Sequence, residues 1–483
     1  MATTASGPTS PALPLRRWTA TSWRWTVTLL SGVLVLILPT AGVTGAPKRL
    51  LAFFVATVVG LVAQPVPMGV TVLTVMTALA LTNTLPPAAV LSGFADATVW
   101  LIFTAFLFSR AVTATRLGSR VAYFFITRFG RSALTLGYSV AASDLVLAPF
   151  VPSDTARGGG IICPITRSVA QALGSEPGPT ADRMGAFLVL VAFHTTYVGS
   201  AMFLTGMAAN PLAAEFAAKI AHVELTWVRW FVGAIVPGLL SLLFVPYLIY
   251  RLHPPEIRQT EAARVHARTE LNAMGPVSSR ERTLIVIMLA VMTGWVTSPW
   301  HHIPNAFVAL AGVCAILICG VLTWGELLSE GRAWDALIWF APLIMMADEL
   351  NRLGVIHDVT RSLFSYSTAL PWTLAFVMLM LTYVYIHYGF ASMTAHITAL
   401  YPGFLSAALL CGVPPLLAAL GLAYFSNLNA GITHYGTGSA PVYFGTGYVK
   451  QGTWWKLGLI ISIVNVVFWL GIGSVWWKVI GLW

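Results

Sequence analysis

Charged residues are scarce in this chain. Only 9% of its 483 residues are Asp, Glu, Lys or Arg, whereas 57% are hydrophobic and the mean hydropathy is +0.79. A soluble domain typically has about 25% charged residues, so this composition excludes an ordinary soluble fold. Apolar segments recur along the whole length rather than at one end. The sequence therefore predicts an all-α, multi-pass membrane protein and not a protein with a single anchor.

Acidic residues are the scarcer of the two charge types, with 17 Asp and Glu against 27 Lys and Arg. The resulting net charge of +10 does not indicate a nucleic-acid partner, because the Arg residues lie in loops between apolar segments, where orientation signals of membrane proteins occur. No nucleic-acid partner is expected. The bilayer itself is the expected environment of most of the surface.

Cysteine and the motifs of metal and hydrolytic chemistry are also sparse. The four cysteines lack the paired spacing of metal ligands, and we interpret all four as small core residues: Cys163, Cys314, Cys319 and Cys411. The chain has no H-x-x-x-H pair, no G-x-S-x-G motif and no acidic metal cluster. We therefore expect no enzymatic activity, no cofactor and no dedicated metal site.

A polar stretch divides the chain into two halves. Residues 251–282 contain six Arg and are predicted to be a cytoplasmic linker by the positive-inside rule. Before it lie a predicted cytoplasmic tail, 1–25, and a segment with the first span and a first repeat, 26–250. The second repeat is predicted at 283–483.

Three matches between the halves indicate an internal duplication. Residues 100–122 align with 336–358 at an offset of 236, "PSDTARGGG" (152–160) aligns with "ASMTAHITA" (391–399) at 239, and 200–211 align with 430–441 at 230. The window 110–131 has five Arg and no acid, whereas 346–367 has two Arg and three acids. Opposite charge at equivalent loops predicts that the two repeats are inverted in the membrane.

Each half contains two segments too rich in Gly, Ser and Thr for an ordinary span, namely 152–160, 195–211, 391–399 and 426–441. Irregular backbone at membrane depth is tolerated only where protein buries it or water lines it. Hydroxyls and free N–H groups at broken helix ends favour a bound anion. The alternative is that the small residues only allow close helix packing.

Three ionisable residues sharpen this prediction. Arg157 and its repeat equivalent His396 are candidate cations for a ligand with two carboxylates. Alternatively, Arg157 forms an internal ion pair with Asp144 or Asp154, and His396, like His434, is a neutral core histidine. Asp154 would repel an anion, so it pairs with Arg157, binds a cation or carries a proton.

The quoted segments, together with "THYGTGSAP" (433–441), resemble the divalent-anion:Na+ symporter family, and most closely its exchanger branch of 2-oxoglutarate/malate, citrate/succinate and tartrate/succinate antiporters. The resemblance implies a homodimer in the bacterial inner membrane with about eleven transmembrane helices, two re-entrant hairpins, two broken helices and elevator-type movement. It implies these bounds: hairpins at 132–171 and 371–411, broken helices at 184–212 and 414–449, and a last span at 457–477.

By the same resemblance, Ser153 and Thr155, and Ser392 and Thr394, match the outer positions of the family's two Ser-Asn-Thr motifs. Met393 replaces the second Asn and offers no hard oxygen to Na+, which favours exchange of di- or tricarboxylates over Na+ symport. An H+- or Na+-coupled symporter and an anion channel remain alternatives. The residues expected to bind substrate are Ser153, Asp154, Thr155, Arg157, Ser200, Thr205, Ser392, Thr394, His396, Ser426, Asn427, Thr433, His434, Thr437, Gly438 and Ser439.

Overall fold

The computed structural model describes residues 18–39, 43–355, 358 and 371–483. Within these ranges all regular elements are helices, apart from one isolated bridge between Ser132 and Gln259. The prediction of an all-α protein is therefore confirmed. In the described part of the chain, seven helical segments are long and apolar enough to cross a membrane: Gly45–Ala63, Ala97–Ala114, Gly185–Met202, Trp227–Leu252, Trp372–Gly389, Met393–Leu410 and Gln451–Val479. Four shorter apolar helices accompany them: Ser22–Ile37, Met68–Leu81, Ala133–Leu147 and Asn305–Ile318.

The first half begins with helix α1 and continues to the end of α10. Its longer helices are α1 (Trp18–Ile37), α2 (Gly45–Ala63), α3 (Met68–Leu81), α4 (Ala97–Ala114), α5 (Leu117–Phe129), α6 (Ala133–Leu147), α7 (Cys163–Ala172), α8 (Gly185–Met202), α9 (Asn210–Ala221) and α10 (Trp227–Leu252). A π-helical stretch, Thr155–Ile162, leads directly into α7. Because α1 already includes Trp18, the first helix extends into the predicted tail 1–25 and beyond its own apolar part.

The second half repeats this order. After α11 (Glu261–Ala273) come α12 (Ser279–Val296), α13 (Asn305–Ile318), α14 (Gly331–Arg352), α15 (Trp372–Tyr385), α16 (Met393–Leu410), α17 (Pro415–Leu428) and α18 (Gln451–Val466). Three helices of the first half, α3, α6 and α8, have counterparts in α13, α15 and α17. In each pair, the first residues of the two helices are separated by a number of positions that lies within the range of the three offsets between the sequence matches. Helix bounds thus show the same duplication as the sequence.

Two helices of corresponding position form the centre of the fold. All residues of α8 are buried, as is every residue of α17 from Leu417 to Leu428. The two helices pack against each other. Their side chains include Thr, Ser and Asn, which are costly in lipid and are buried here within protein. The helices that precede the two breaks therefore lie in the protein interior.

The exterior is apolar, as expected for a surface that faces lipid. Leu81, Ile318 and Val479 are each more than 70% exposed. The interpretation of all four cysteines as core residues is wrong for two of them: Cys163 and Cys411 are buried, but Cys314 and Cys319 are exposed. An apolar residue in a membrane protein gains no special advantage from the interior, because the outer face of a helix is also in an apolar medium.

The segment predicted as a linker contains helix α11 and is docked on the first half. Thr260 donates a hydrogen bond from Oγ1 to the Gly130 carbonyl at 2.8 Å, and His266 Nε2 lies 2.7 Å from Ser168 Oγ. At the end of the segment, the Glu281 carboxylate receives two bonds from Arg120 of α5, at 2.6 and 3.2 Å. The connection between the halves is thus held in place by polar contacts.

Candidate functional site

The first hairpin (133–172) consists of α6, a turn and the π-helical stretch that continues into α7. Ser132 starts α6 with a capping box, and Pro149 and Pro152 interrupt the helix after Leu147. Glycines then allow the chain to pack closely against the broken helices: a Cβ on Gly158 would lie 2.7 Å from the Thr196 side chain, and one on Gly159 3.3 Å from Val442. The Ser-Asp-Thr motif (153–155) is therefore held at the hairpin end by close packing.

Arg157 is fully buried and all its donors are used by the protein. Its Nε lies 3.2 Å from both carboxylate oxygens of Asp144. The two terminal nitrogens bond the carbonyls of Val151, Gly206 and Thr196 and the Ser200 hydroxyl, at 2.7 to 3.0 Å. The structure therefore has the internal ion pair with Asp144 that the sequence left open, and in this conformation the guanidinium has no donor left for a ligand.

Asp154 has different partners. Its carboxylate accepts a hydrogen bond from the Ser439 hydroxyl at 2.9 Å and another from the Thr437 hydroxyl. The side chain is buried, whereas Ser153 and Thr155 on either side are half-buried. The first hairpin is thereby joined to the break of the second half, and the pairing of Asp154 with Arg157 that the sequence allowed is not the one observed.

The first broken helix consists of α8 and α9. Between them, Thr205 donates to the Pro149 carbonyl at 2.8 Å and accepts from Trp227 Nε1 at 3.2 Å. Asn210, the first residue of α9, donates to the carbonyls of Ser200 and Phe203, both at 2.9 Å. These bonds satisfy carbonyls that the end of α8 leaves free. Ser200 and Thr205 are thus engaged in holding the break.

The second broken helix is joined to the first by its own amide. Asn427 Nδ2 donates to Asn210 Oδ1 at 2.8 Å, across 217 residues of chain. Ser426 Oγ lies 2.8 Å from the Tyr383 hydroxyl and donates to the Leu422 carbonyl. His434 is half-buried, and its Nδ1 accepts from Trp455 Nε1 at 2.9 Å. That bond assigns the ring proton of a neutral His434 to Nε2.

The second hairpin (372–410) consists of α15, a short turn and α16. Ser392 caps α16 by accepting from the Ala395 N–H at 3.3 Å, and both Ser392 and Thr394 are half-buried. Met393, the repeat equivalent of Asp154, is buried. His396 is completely buried, and among the described residues neither of its ring nitrogens has a hydrogen-bond partner. Its ring packs against Tyr383 at 4.3 Å and His387 at 4.9 Å.

Four consecutive residues, Gly436–Ser439, contact both hairpins. His387 of the second hairpin donates from Nε2 to the Gly436 carbonyl at 2.7 Å, and Asp154 of the first accepts from Thr437 and Ser439. Gly438 is exposed, and a Cβ there would lie 2.3 Å from Thr155 Oγ1. The ends of the two hairpins therefore meet on one turn of the second broken helix. We name residues 436–439 the bridging turn.

The predicted residues form two groups. Ser153, Thr155, Ser392, Thr394, His434 and Gly438 are partly or fully accessible. The others are buried, and most of them bond protein atoms: Asp154, Arg157, Ser200, Thr205, His396, Ser426, Asn427, Thr433, Thr437 and Ser439. The Thr433 hydroxyl and the Asn427 oxygen lack a partner within the described part of the chain. Binding of a ligand by either group stays a prediction.

Three further residues belong to this centre. The residues predicted from the sequence to bind substrate do not include Asn210 or His387, and Asp144 is among the predictions only as an alternative partner of Arg157. Each is a polar residue in an apolar stretch, which is a signal of function or of a buried network. The contact of Asp144 lies 13 residues away along the chain, that of His387 lies 49 away and that of Asn210 lies 217 away. The partner of each could not be identified from the sequence.

A helical membrane protein whose two halves each bring a hairpin and a broken helix to one polar centre has the construction of a multi-pass transporter. The chain belongs to the family described as the sodium:sulfate symporter transmembrane region, whose model matches residues 19–483. The resemblance to the divalent-anion:Na+ symporter family is thus confirmed, over nearly the whole chain.

Several relatives match almost end to end. YflS of Bacillus subtilis (strain 168), provisionally named as a malate transporter, is 45% identical over 459 residues, covering 95% of this chain and 96% of the relative. The chloroplastic dicarboxylate transporter 1 of Arabidopsis thaliana is 42% identical, covering 100% of this chain and 88% of the relative. Inner membrane protein YbhI of Escherichia coli (strain K12) is 34% identical, covering 92% and 94%.

Among solved structures, the YdaH transporter of Alcanivorax borkumensis matches with a TM-score of 0.58 at 18% identity, covering 96% of this chain and 98% of the other. At that identity the match supports the fold alone.

Proposed function

We propose that this protein is an antiporter that exchanges di- or tricarboxylates such as malate, succinate, 2-oxoglutarate, tartrate or citrate across the bacterial inner membrane. The observation that carries the proposal is the bridging turn, which brings the accessible hydroxyls of the first hairpin next to the second broken helix. The names of the relatives, which include dicarboxylate and malate transporters, support the same substrate class.

The chemistry of the hairpin ends suits a carboxylate. Ser153 and Thr155 begin one helical segment, and Ser392 and Thr394 begin another, so each hairpin end combines hydroxyls with the N-terminal end of a helix. Helix N-termini and hydroxyl donors stabilise anions. A ligand with a carboxylate at each end would use one set from each half.

Exchange is favoured over sodium-driven uptake by the residues at the second hairpin. Met393 presents a thioether where a hard cation would need oxygen. His396 follows it in the same helix, with two unpartnered ring nitrogens among the described residues. Elevator-type movement of the hairpins and broken helices, as a homodimer, is the mechanism that we propose for crossing the membrane.

The test is uptake of labelled succinate or 2-oxoglutarate into proteoliposomes. We expect uptake to require internal dicarboxylate and to be the same with Na+ or with choline outside. Strong uptake into empty vesicles driven by Na+ would instead establish the symporter. Uptake that follows the membrane potential without internal substrate and without saturation would establish the channel.

The accessible hydroxyls provide the matched variants. Each of Thr155→Ala and Thr394→Ala should raise KM about tenfold or more, because each removes a hydrogen bond to a charged ligand. The control is Thr297→Ala, whose half-buried side chain bonds only the carbonyls of its own helix. Unchanged KM in both site variants would contradict a role of the hairpin ends in binding.

A further inference from the structure

The charged groups at the first hairpin do not cancel one another. Arg157, the cation of the first hairpin end, is fully engaged by Asp144 and by neutral acceptors. Asp154, three residues before Arg157, receives only the neutral hydroxyls of Thr437 and Ser439. When all three groups are ionised, this buried region has a net charge of −1. A negative region is an unfavourable place for a ligand that brings two more negative charges.

Other elements near the hairpin do not supply the missing positive charge among the described residues. Arg110 of α4 interacts electrostatically with Glu326. Arg120 of α5 forms an ion pair with Glu281 at 2.6 Å. From α7, Arg167 lies near Cys163. The short helix Ala440–Phe444 after the bridging turn contributes the buried hydroxyl of Tyr443, and α8 contributes Thr196 and Ser200. These last groups are neutral.

The magnitude of the repulsion is large. Two unit charges about 4 Å apart interact with about 4 kcal/mol at an effective dielectric constant of about 20. An ionised Asp154 beside Thr155 would therefore oppose binding of a carboxylate at the same hairpin end. Protonation of the Asp154 carboxylate would remove this repulsion and would also give the side chain an O–H donor.

We propose that Asp154 takes up a proton when the dicarboxylate binds, so that each substrate crosses the membrane together with one proton on this side chain. The proposal rests on the function proposed above and adds the coupled ion. The proton comes from water on the side where the substrate enters, forms an O–H bond on the Asp154 carboxylate, and returns to water when the substrate leaves. In an obligatory exchange, each direction of movement then carries one proton.

A proton fits this position better than a metal ion. A hard cation takes about six oxygen ligands, whereas the polar contacts of the Asp154 carboxylate are two hydroxyls that donate to it. Within the described residues, His, Cys, Asp and Glu form no group of three that could hold a metal. The second hairpin has Met393 at the equivalent position, which offers neither a carboxyl nor a hard oxygen.

Calorimetry of the purified, detergent-solubilised full chain gives the direct test. Binding of 2-oxoglutarate or tartrate, which stay doubly ionised above about pH 6, is titrated at about pH 7.5 in two buffers of different ionisation enthalpy. The wild-type protein should take up protons on binding, up to a maximum of one per ligand, and Asp154→Asn should take up none while it still binds. Asp154→Glu keeps a carboxyl group at this position and should retain proton uptake on binding. The control that should behave as the wild type is Glu224→Gln, which removes an exposed carboxylate in the loop between α9 and α10.

Transport provides a second readout. Because a proton is taken up together with the ligand, KM of the wild type for these substrates should rise with pH, by up to about tenfold per pH unit. KM of Asp154→Asn should not change with pH. Binding by the wild type without proton uptake would overturn the proposal, even if the Asn variant does not fold.

Two other results would also overturn it. Na+-dependent binding that is lost in Asp154→Asn would mean that Asp154 holds a metal cation. Binding of aspartate or glutamate in preference to the dicarboxylates, without proton uptake, would mean that Asp154 recognises an ammonium group of the substrate. If the wild type bound and exchanged no dicarboxylate at any pH, the proposed function itself would fail, which is distinguishable from binding without a proton.

Discussion

Arg157 is a fully buried cation where α6, the first hairpin end and the first broken helix meet. From the sequence it is a cation at membrane depth, which is a functional candidate by default. In the structure its five N–H groups are all used, with Asp144 as the ionic partner. Its main role in this conformation is to hold α6, the first hairpin end and the first broken helix together. Any role in binding then acts through the shape of the site.

We predict that Arg157→Ala will destabilise the protein by about 3–5 kcal/mol, because Asp144 is left as an unpaired buried charge. The double variant Asp144→Asn/Arg157→Gln should recover part of this loss. The measurement is the thermal unfolding midpoint of detergent-solubilised protein, followed by tryptophan fluorescence. A single variant that is as stable as the wild type but inactive would contradict the structural role and restore direct binding.

At the scale of elements, the site is made by interruptions of helices. α8 ends at Met202 and the α-helix resumes at Asn210; α17 ends at Leu428 and the α-helix resumes at Ala440, the repeat equivalent of Asn210. In each case Pro follows the restart, at Pro211 and Pro441, where a missing N–H has no cost. The repeat therefore extends to the positions where the helices resume, and the bridging turn belongs to the second break.

We predict that Gly438→Ala will reduce exchange at least tenfold while the protein stays folded. The added Cβ would lie 2.3 Å from Thr155 Oγ1, so the Thr155 side chain or the bridging turn must move. The measurement is KM and maximal rate in proteoliposomes. Gly452→Ala is the matched control, because a Cβ at that position has no neighbour within 4 Å. Equal activity of the two variants would contradict the proximity of the bridging turn and Thr155.

At the scale of the whole molecule, the two halves are joined by contacts as well as by the linker. The Asn427–Asn210 bond connects the two broken helices in the interior. At the end of the linker, Arg120 bonds Glu281 and the Gly275 carbonyl, which fixes the start of the second half on α5. Burial by itself raises the pKa of Glu281, but the bonds from Arg120 and Ser278 outweigh it and hold this pKa below the usual value of 4.5.

We predict that this contact is lost in acid. A depressed folded-state pKa means that Glu281 stabilises the protein above about pH 4.5, and that the contribution disappears as the pH falls through the lower, folded-state pKa. Glu281→Gln should lower stability by about 1–3 kcal/mol at neutral pH and should lose less on acidification than the wild type. Unfolding midpoints at about pH 7 and about pH 3.5 measure both effects. Parallel losses in the two proteins would contradict the prediction.

Much of the architecture follows from the sequence alone. The scarcity of charge required a membrane environment, and hydrophobic segments of helical length required helices, because a backbone in lipid must satisfy its own hydrogen bonds. The repeat followed from matched motifs, and the same motifs located the four irregular segments. The prediction was less accurate where a helix such as α1 continues past its apolar part, and where an apolar side chain such as that of Cys314 can face either protein or lipid.

The partners of the buried polar residues, in contrast, depend on how the whole chain packs. The sequence offered Asp144 and Asp154 equally as partners of Arg157, because both lie within a few helical turns of it along the chain. The choice depends on how α6, the π-helical stretch and the second broken helix pack, which brings Asp144 to Arg157 and the bridging turn to Asp154. Asp154 is separated from Thr437 by 283 positions along the chain and from Ser439 by 285. Contacts over such separations are set by the packing of the whole chain, since no local pattern encodes them.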